Sequence, residues 1–131
     1  MSLEQPAGPD AWTVERHLQD RPGQVVDLYR RFIALVEECG PFSYRVNKSA
    51  VNLKGSRRVF AGAVPKHRWL GGYLDLQREV LDPRIQRVDP YTSRLFVNFF
   101  KVAELAELDD VLRVGWVCEA YQVGSGEHMK A

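Results

Sequence analysis

His67, Trp69, Tyr73 and Asp75 are the residues whose types and spacing could do chemistry. Read as a strand over 67–76, the two-residue period places all four on one face, with His67–Trp69 and Tyr73–Asp75 as near neighbours. Lys54, Arg58 and Arg94 extend that face across adjacent strands, and Arg57 adds a further cation beside it. One chemistry that fits is a platform on which bases stack while Arg and Lys hold phosphates. Another is a small-molecule cleft with His67 as acid or base and Asp75 orienting it. A third reading needs no ligand: Trp69 and Tyr73 are covered by Trp12, by a short first helix or by a second subunit, since large exposed aromatic patches are uncommon on monomers.

Other chemistry is excluded more firmly. The chain has no GxxxxGK[ST] phosphate loop, no GxGxxG after a strand and no HExxH. Its three histidines, His17, His67 and His128, fall in different elements, and its serines lack a nucleophile elbow. No catalytic set, metal site or cofactor motif is expected. Asp109 and Asp110 are adjacent carboxylates, which suits the cap of a helix start. Cys39 and Cys118 are too few for a disulfide framework or a zinc site and are expected as inert thiols at a helix end and in an apolar stripe. Trp116 and Tyr121 are expected in the core.

Composition is that of an ordinary globular domain, with 131 residues, 45% hydrophobic and 27% charged. No apolar run approaches the roughly 20 residues of a membrane-spanning helix. The first residues show no basic stretch followed by an apolar one. A reduced, cytoplasmic setting without membrane contact is therefore expected. Net charge is +1, but it is segregated: residues 1–38 carry −3, residues 39–74 carry +7 with no acid at all, and residues 75–131 carry −3. Such a field attracts anions locally even on a near-neutral molecule. Sheet surfaces rich in Lys and Arg beside acidic helices produce the same pattern without a ligand.

The elements that must position these residues follow from periodicity. Residues 1–11 read as a flexible arm, 12–123 as one domain and 124–131 as a disordered tail. Thr13 caps a short helix over Val14–Gln19, with Trp12 just before it. From Gln24 to Glu38 the apolar spacing of three and four predicts an amphipathic helix ended by Gly40-Pro41. Strands are expected over Ser43–Val46, Ser49–Lys54, Arg57–Val64, His67–Leu76 and Ser93–Val102. Gly71 and Gly72 suggest a bulge or a close approach to the backbone. Residues 78–92 read as a long connection with a helical turn around Ile85. One last helix from Asp109 or Asp110 to about Gln122 follows, with Gly115 admitting a close helix contact. The expected fold is α+β: a four- to five-stranded, mainly antiparallel sheet with an N-terminal and a C-terminal helix on one face.

The segments WTVERHL, ECGP, NKSAVNLKGSRRVFAGAVP, LGGYLDL, DPRI, ELDDVL and EAY together resemble an uncharacterised bacterial domain family, domain of unknown function 5655. The likeness runs from about Trp12 to Tyr121. It implies a small bacterial domain, sometimes attached to larger proteins, with no established activity and no catalytic residues to carry over.

The leading expectation is a non-catalytic binding module whose basic, aromatic sheet face contacts nucleic acid or another polyanion. The alternative is an oligomerisation or protein-interaction domain that pairs through the same face, as a homodimer would. A small-molecule enzyme using His67 and Asp75 ranks third.

Overall fold

Val25, Leu28, Tyr29, Phe32, Ile33 and Val36 recur at helical spacing, and α2 (Gly23–Cys39) buries all of them together with Leu35. Before it, α1 (Val14–Leu18) starts at Thr13, whose Oγ1 accepts the Arg16 N–H at 3.0 Å. The computed structural model describes residues 11–113 and 115–126, and for 111–113 only the backbone. The expected arm, apart from Ala11, and residues 127–131 of the expected tail lie outside the described residues.

The chain then builds β1 (Ser43–Val46), β2 (Val51–Lys54), β3 (Val59–Pro65), β4 (Leu70–Leu76), β5 (Ile85–Pro90) and β6 (Phe96–Val102), followed by α3 (Leu105–Arg113) and α4 (Trp116–Gly124). All six strands pair antiparallel in one sheet of order β1-β2-β3-β4-β6-β5. The class is α+β as expected, with six strands where four or five were anticipated.

Register assigns the faces. Val51, Leu53, Ala61, Ala63, Leu70, Leu74, Phe100 and Val102 share one face and are buried, and α2 and α4 lie over it. An irregularity between Leu53 and Lys54 leaves Phe60 without a partner on β2; it is fully buried and meets Tyr121 with ring centroids 5.4 Å apart. Buried Asn98 ties down the chain leaving β4: its Oδ1 accepts from Val80 N–H at 2.9 Å and its Nδ2 donates to the carbonyls of Arg78 and Phe96 at 3.1 Å. These bonds satisfy the amide's oxygen and both its N–H groups, which offsets the cost of burying it.

Three expectations are corrected. Residues 85–90 form an edge strand and not a helical turn. Arg84 N–H and the Arg84 guanidinium both bond Asp82, holding that carboxyl down to about 2, and Ile85 then pairs with Phe100. The last helix is two helices. Gly115, at φ 81°, takes a left-handed conformation that breaks it, and nothing lies close enough there for a helix contact. Because α3 already starts at Leu105, Asp109 and Asp110 sit inside it instead of capping it. Asp109 accepts two bonds from Arg31, at 2.8 and 2.9 Å, and Asp110 lies 3.8 Å from Arg84. Trp116 and Tyr121 do belong to the helix-side packing, and Tyr121 donates to the Pro41 carbonyl at 2.7 Å.

Cys39 and Cys118 are not separate thiols. A disulfide joins the end of α2 to α4, with Cα atoms 5.5 Å apart and 79 residues of sequence between them. Closing a loop of this length is worth about 4–5 kcal/mol in the chain-entropy view, and less where the unfolded state keeps structure. The pairing also removes the ground on which a reducing setting was expected, because such bonds persist in oxidising compartments. Among the described residues no helix is long and apolar enough to cross a membrane. Replacing both cysteines by serine is expected to lower the unfolding free energy by about 2–4 kcal/mol, measured by urea denaturation. An unchanged midpoint would show that the helix contacts hold α2 and α4 without the link.

Candidate functional site

The face of the sheet away from α2 and α4 carries Asn52, Lys54, Gly62, Val64, Gly71, Tyr73, Asp75, Val97, Phe99 and Lys101 in register, flanked by Arg45 on β1 and by Arg87 and Asp89 on β5. Trp69 joins it from just before β4, because its Nε1 lies 3.9 Å from where a Gly71 side chain would start. Trp69, Tyr73 and Asp75 therefore share a face as the alternation predicted. Each ring lies close to glycine backbone. A side chain at Gly62 would collide with the Tyr73 ring, which crosses β3 so that its hydroxyl donates to Asn52 Oδ1 on β2. Gly71 and Gly72 mark close approach, with no bulge between β3 and β4 or between β4 and β6.

Cations lie over these rings. Lys101 Nζ is 4.0 Å from the Trp69 ring centre, Arg87 is 4.2 Å from that of Phe99, and Arg58 is 5.3 Å from that of Tyr91. Trp69, Tyr73 and Phe99 remain partly exposed under this layer. Arg87 also pairs with Asp89 at 3.2 Å. The face is thus neither sealed by a helix nor bare.

Asp75 is the buried exception, 4% exposed. Arg58 Nη2 donates to its Oδ2 at 2.7 Å while Arg58 Nε donates to the Val59 carbonyl at 2.9 Å, fixing the guanidinium. Oδ1 has no protein partner. Burial outweighs the attraction of Arg58 and lifts the Asp75 carboxyl from its ordinary 3.8 to about 6. The Tyr73 hydroxyl is pushed upward too, first by burial and then by the neighbouring Asp75 charge.

The remaining expected site residues divide. Lys54 lies on the face, its Nζ 3.3 Å from the Gly55 carbonyl. Arg94 is exposed in the turn before β6, where its N–H bonds Thr92 Oγ1. Arg57 does not join them. Its N–H donates to the Gly124 carbonyl and its side chain runs beside Gly126, at the end of α4. His67 is separated as well: Lys66 N–H bonds the Trp69 carbonyl, so residues 66–69 are a turn, not strand. His67 lines a cleft of about 740 Å³ between α1 and the β1–β2 and β3–β4 turns. From Trp69 to Asp75 the strand alone covers about 20 Å, so Asp75 cannot orient His67. Trp12 lines the same cleft, with its ring 4.9 Å from that of His17 and tilted 48° to it, and is covered by Arg16, so it does not cover Trp69.

Phe99, Lys101, Arg87 and Tyr91 belong to the face and were not anticipated. Their signal is the β4–β6 and β5–β6 register, which two strands distant in sequence do not announce. Among the described residues no group of three or more His, Cys, Asp or Glu could hold a metal ion. No family model, curated protein or solved structure matches the chain.

The Asp75 shift has a definite sign. The folded protein holds this proton more tightly than the unfolded chain, so its contribution to stability is present below about pH 4 and is lost as pH rises through about 6. Relative to Asp75→Asn, the wild-type thermal midpoint should fall by a few degrees between pH 4 and 6.5. A difference that stays constant over this range would contradict a buried, proton-holding Asp75.

Proposed function

We propose that the chain is a non-catalytic binding module, of the kind catalogued as domain of unknown function 5655, that takes single-stranded nucleic acid on its open sheet face. The observation that carries this reading is the layering of Lys101 and Arg87 over Trp69 and Phe99. An exposed cation–ring contact is worth about 0.5–1 kcal/mol, whereas a base stacked on an aromatic ring is worth about 1–3 kcal/mol. A base can therefore take the place of the cation over the ring, and the released cation is already positioned for the adjoining phosphate. Arg45 and Lys54 lie on the same face, while its carboxylates Asp75 and Asp89 are already engaged by Arg58 and Arg87.

Pairing of two copies through this face is the competing expectation. A pair would press together two faces that each carry Arg45, Lys54 and Lys101, and two surfaces of the same sign meet at a cost. The hydrophobic gain is also modest, because the Trp69 and Phe99 rings already lie under charged groups.

Trp69→Ala combined with Lys101→Ala should weaken binding of a fluorescent octathymidylate at least tenfold in anisotropy titrations, and the wild-type affinity should fall steeply with salt. Arg57→Ala, away from the face, should change it less than twofold. Equal losses in both variants, or affinity indifferent to salt, would overturn the reading.

A further inference from the structure

We propose that the cleft between α1 and the β1–β2 and β3–β4 turns is a site for a phosphate monoester. Four cations line it: Arg16 on α1, which is turned over the Trp12 ring, Arg21 between α1 and α2, Lys48 in the β1–β2 turn and Lys66 in the β3–β4 turn. The frame that presents them is tied together by hydrogen bonds. Buried His17 donates from Nε2 to the Asn47 carbonyl at 2.7 Å, and Asn47 Oδ1 accepts the N–H groups of Ser49 and Ala50 at 2.9 and 3.0 Å. Arg21 Nε donates to the Pro65 carbonyl at 3.0 Å, so its terminal nitrogens are held at the cleft while Lys66 N–H closes the next turn. His17 and Arg21 thus have structural work.

Lys48, Lys66 and His67 have none. Each is exposed and lines the cleft, and none of the three side chains makes a hydrogen bond or ion pair within the described chain. Asp20 is the cleft's one carboxylate, and no ion pair within 4.0 Å uses it. Two lysines and two arginines lining one concave surface, against one carboxylate, exceed what a single carboxylate ligand would need and match a dianionic group. The Ser49 hydroxyl and the His67 ring add hydrogen-bonding groups to the same walls.

The cleft also opens onto the sheet face. Val64 lines it and stands opposite Gly71, whose other neighbour is Lys101. The phosphate can therefore be free, or can terminate a strand whose bases lie over Trp69. The second source rests on the strand-binding reading; the site itself does not.

The test compares wild type with Lys48→Ala/Lys66→Ala by calorimetric titration of inorganic phosphate and of octathymidylate carrying a 5′-phosphate, a 3′-phosphate or neither. Thermal midpoints of the two proteins should coincide, since both lysines are exposed and unpaired. The wild type should bind inorganic phosphate and prefer one phosphorylated end at least tenfold. The double variant should lose both properties while holding unphosphorylated octathymidylate within twofold of wild type. Phosphate binding without affinity for any octathymidylate supports the cleft and removes the strand reading. Equal affinity for all three octathymidylates with no phosphate binding overturns the cleft and leaves the strand reading standing.

Discussion

Phe100 on the helix side and Tyr73 on the open side both need space that only glycine leaves. A side chain at Gly72 would collide with the Phe100 ring and with the Gly62 carbonyl, and one at Gly62 would collide with the Tyr73 ring. Gly72 pairs with Ala63 and Phe100, and Gly62 with Tyr73, so both fits lie on the β3–β4–β6 centre of the sheet. Such ring-on-glycine contacts fix the register, because a slip of one residue would send every side chain to the wrong face. Glycine is ordinarily a weak strand residue. Here the ring of a neighbouring strand fills the missing volume.

A sheet pinned in this way needs helices on one side only. α2 and α4, joined through Cys39–Cys118, seal the side bearing Leu70, Leu74 and Phe100. The opposite side keeps its rings close to the backbone and places the charged ends of Lys101 and Arg87 over Trp69 and Phe99, which limits the rings' contact with water without a second layer of structure. Both outer strands are poor partners for further pairing. β1 is short and mostly exposed, and β5 carries Arg87, Asp89 and Pro90. What the sheet leaves open is therefore a face, not an edge.

Local periodicity in the sequence suffices for α2, for the faces of β2 and β4, and for the placement of Trp69, Tyr73 and Asp75 together. It fails where a short-range signal has two readings. Ile85–Pro90 looks like a connection because its charges and terminal proline suit an edge strand as well as a loop. Gly115 reads as a contact point in a helix, yet its left-handed backbone breaks the helix. His67 follows the alternation on paper but falls in the turn that precedes the strand. The cation–ring contacts of the open face, Lys101 over Trp69 and Arg87 over Phe99, depend on β6 inserting beside β4 with β5 outside it. The Cys39–Cys118 link and the three-segment cleft likewise join positions distant in sequence, and no spacing rule connects them.

The central claim, that the open face is the binding surface, is tested most directly by amide chemical-shift mapping of the isotopically labelled protein during addition of a single-stranded oligonucleotide. The account predicts shifts concentrated at Gly62, Gly71, Phe99 and Lys101 together with the Trp69 indole N–H, while α2 and α4 stay still. Shifts concentrated on the helices, or none at saturating oligonucleotide, would contradict it.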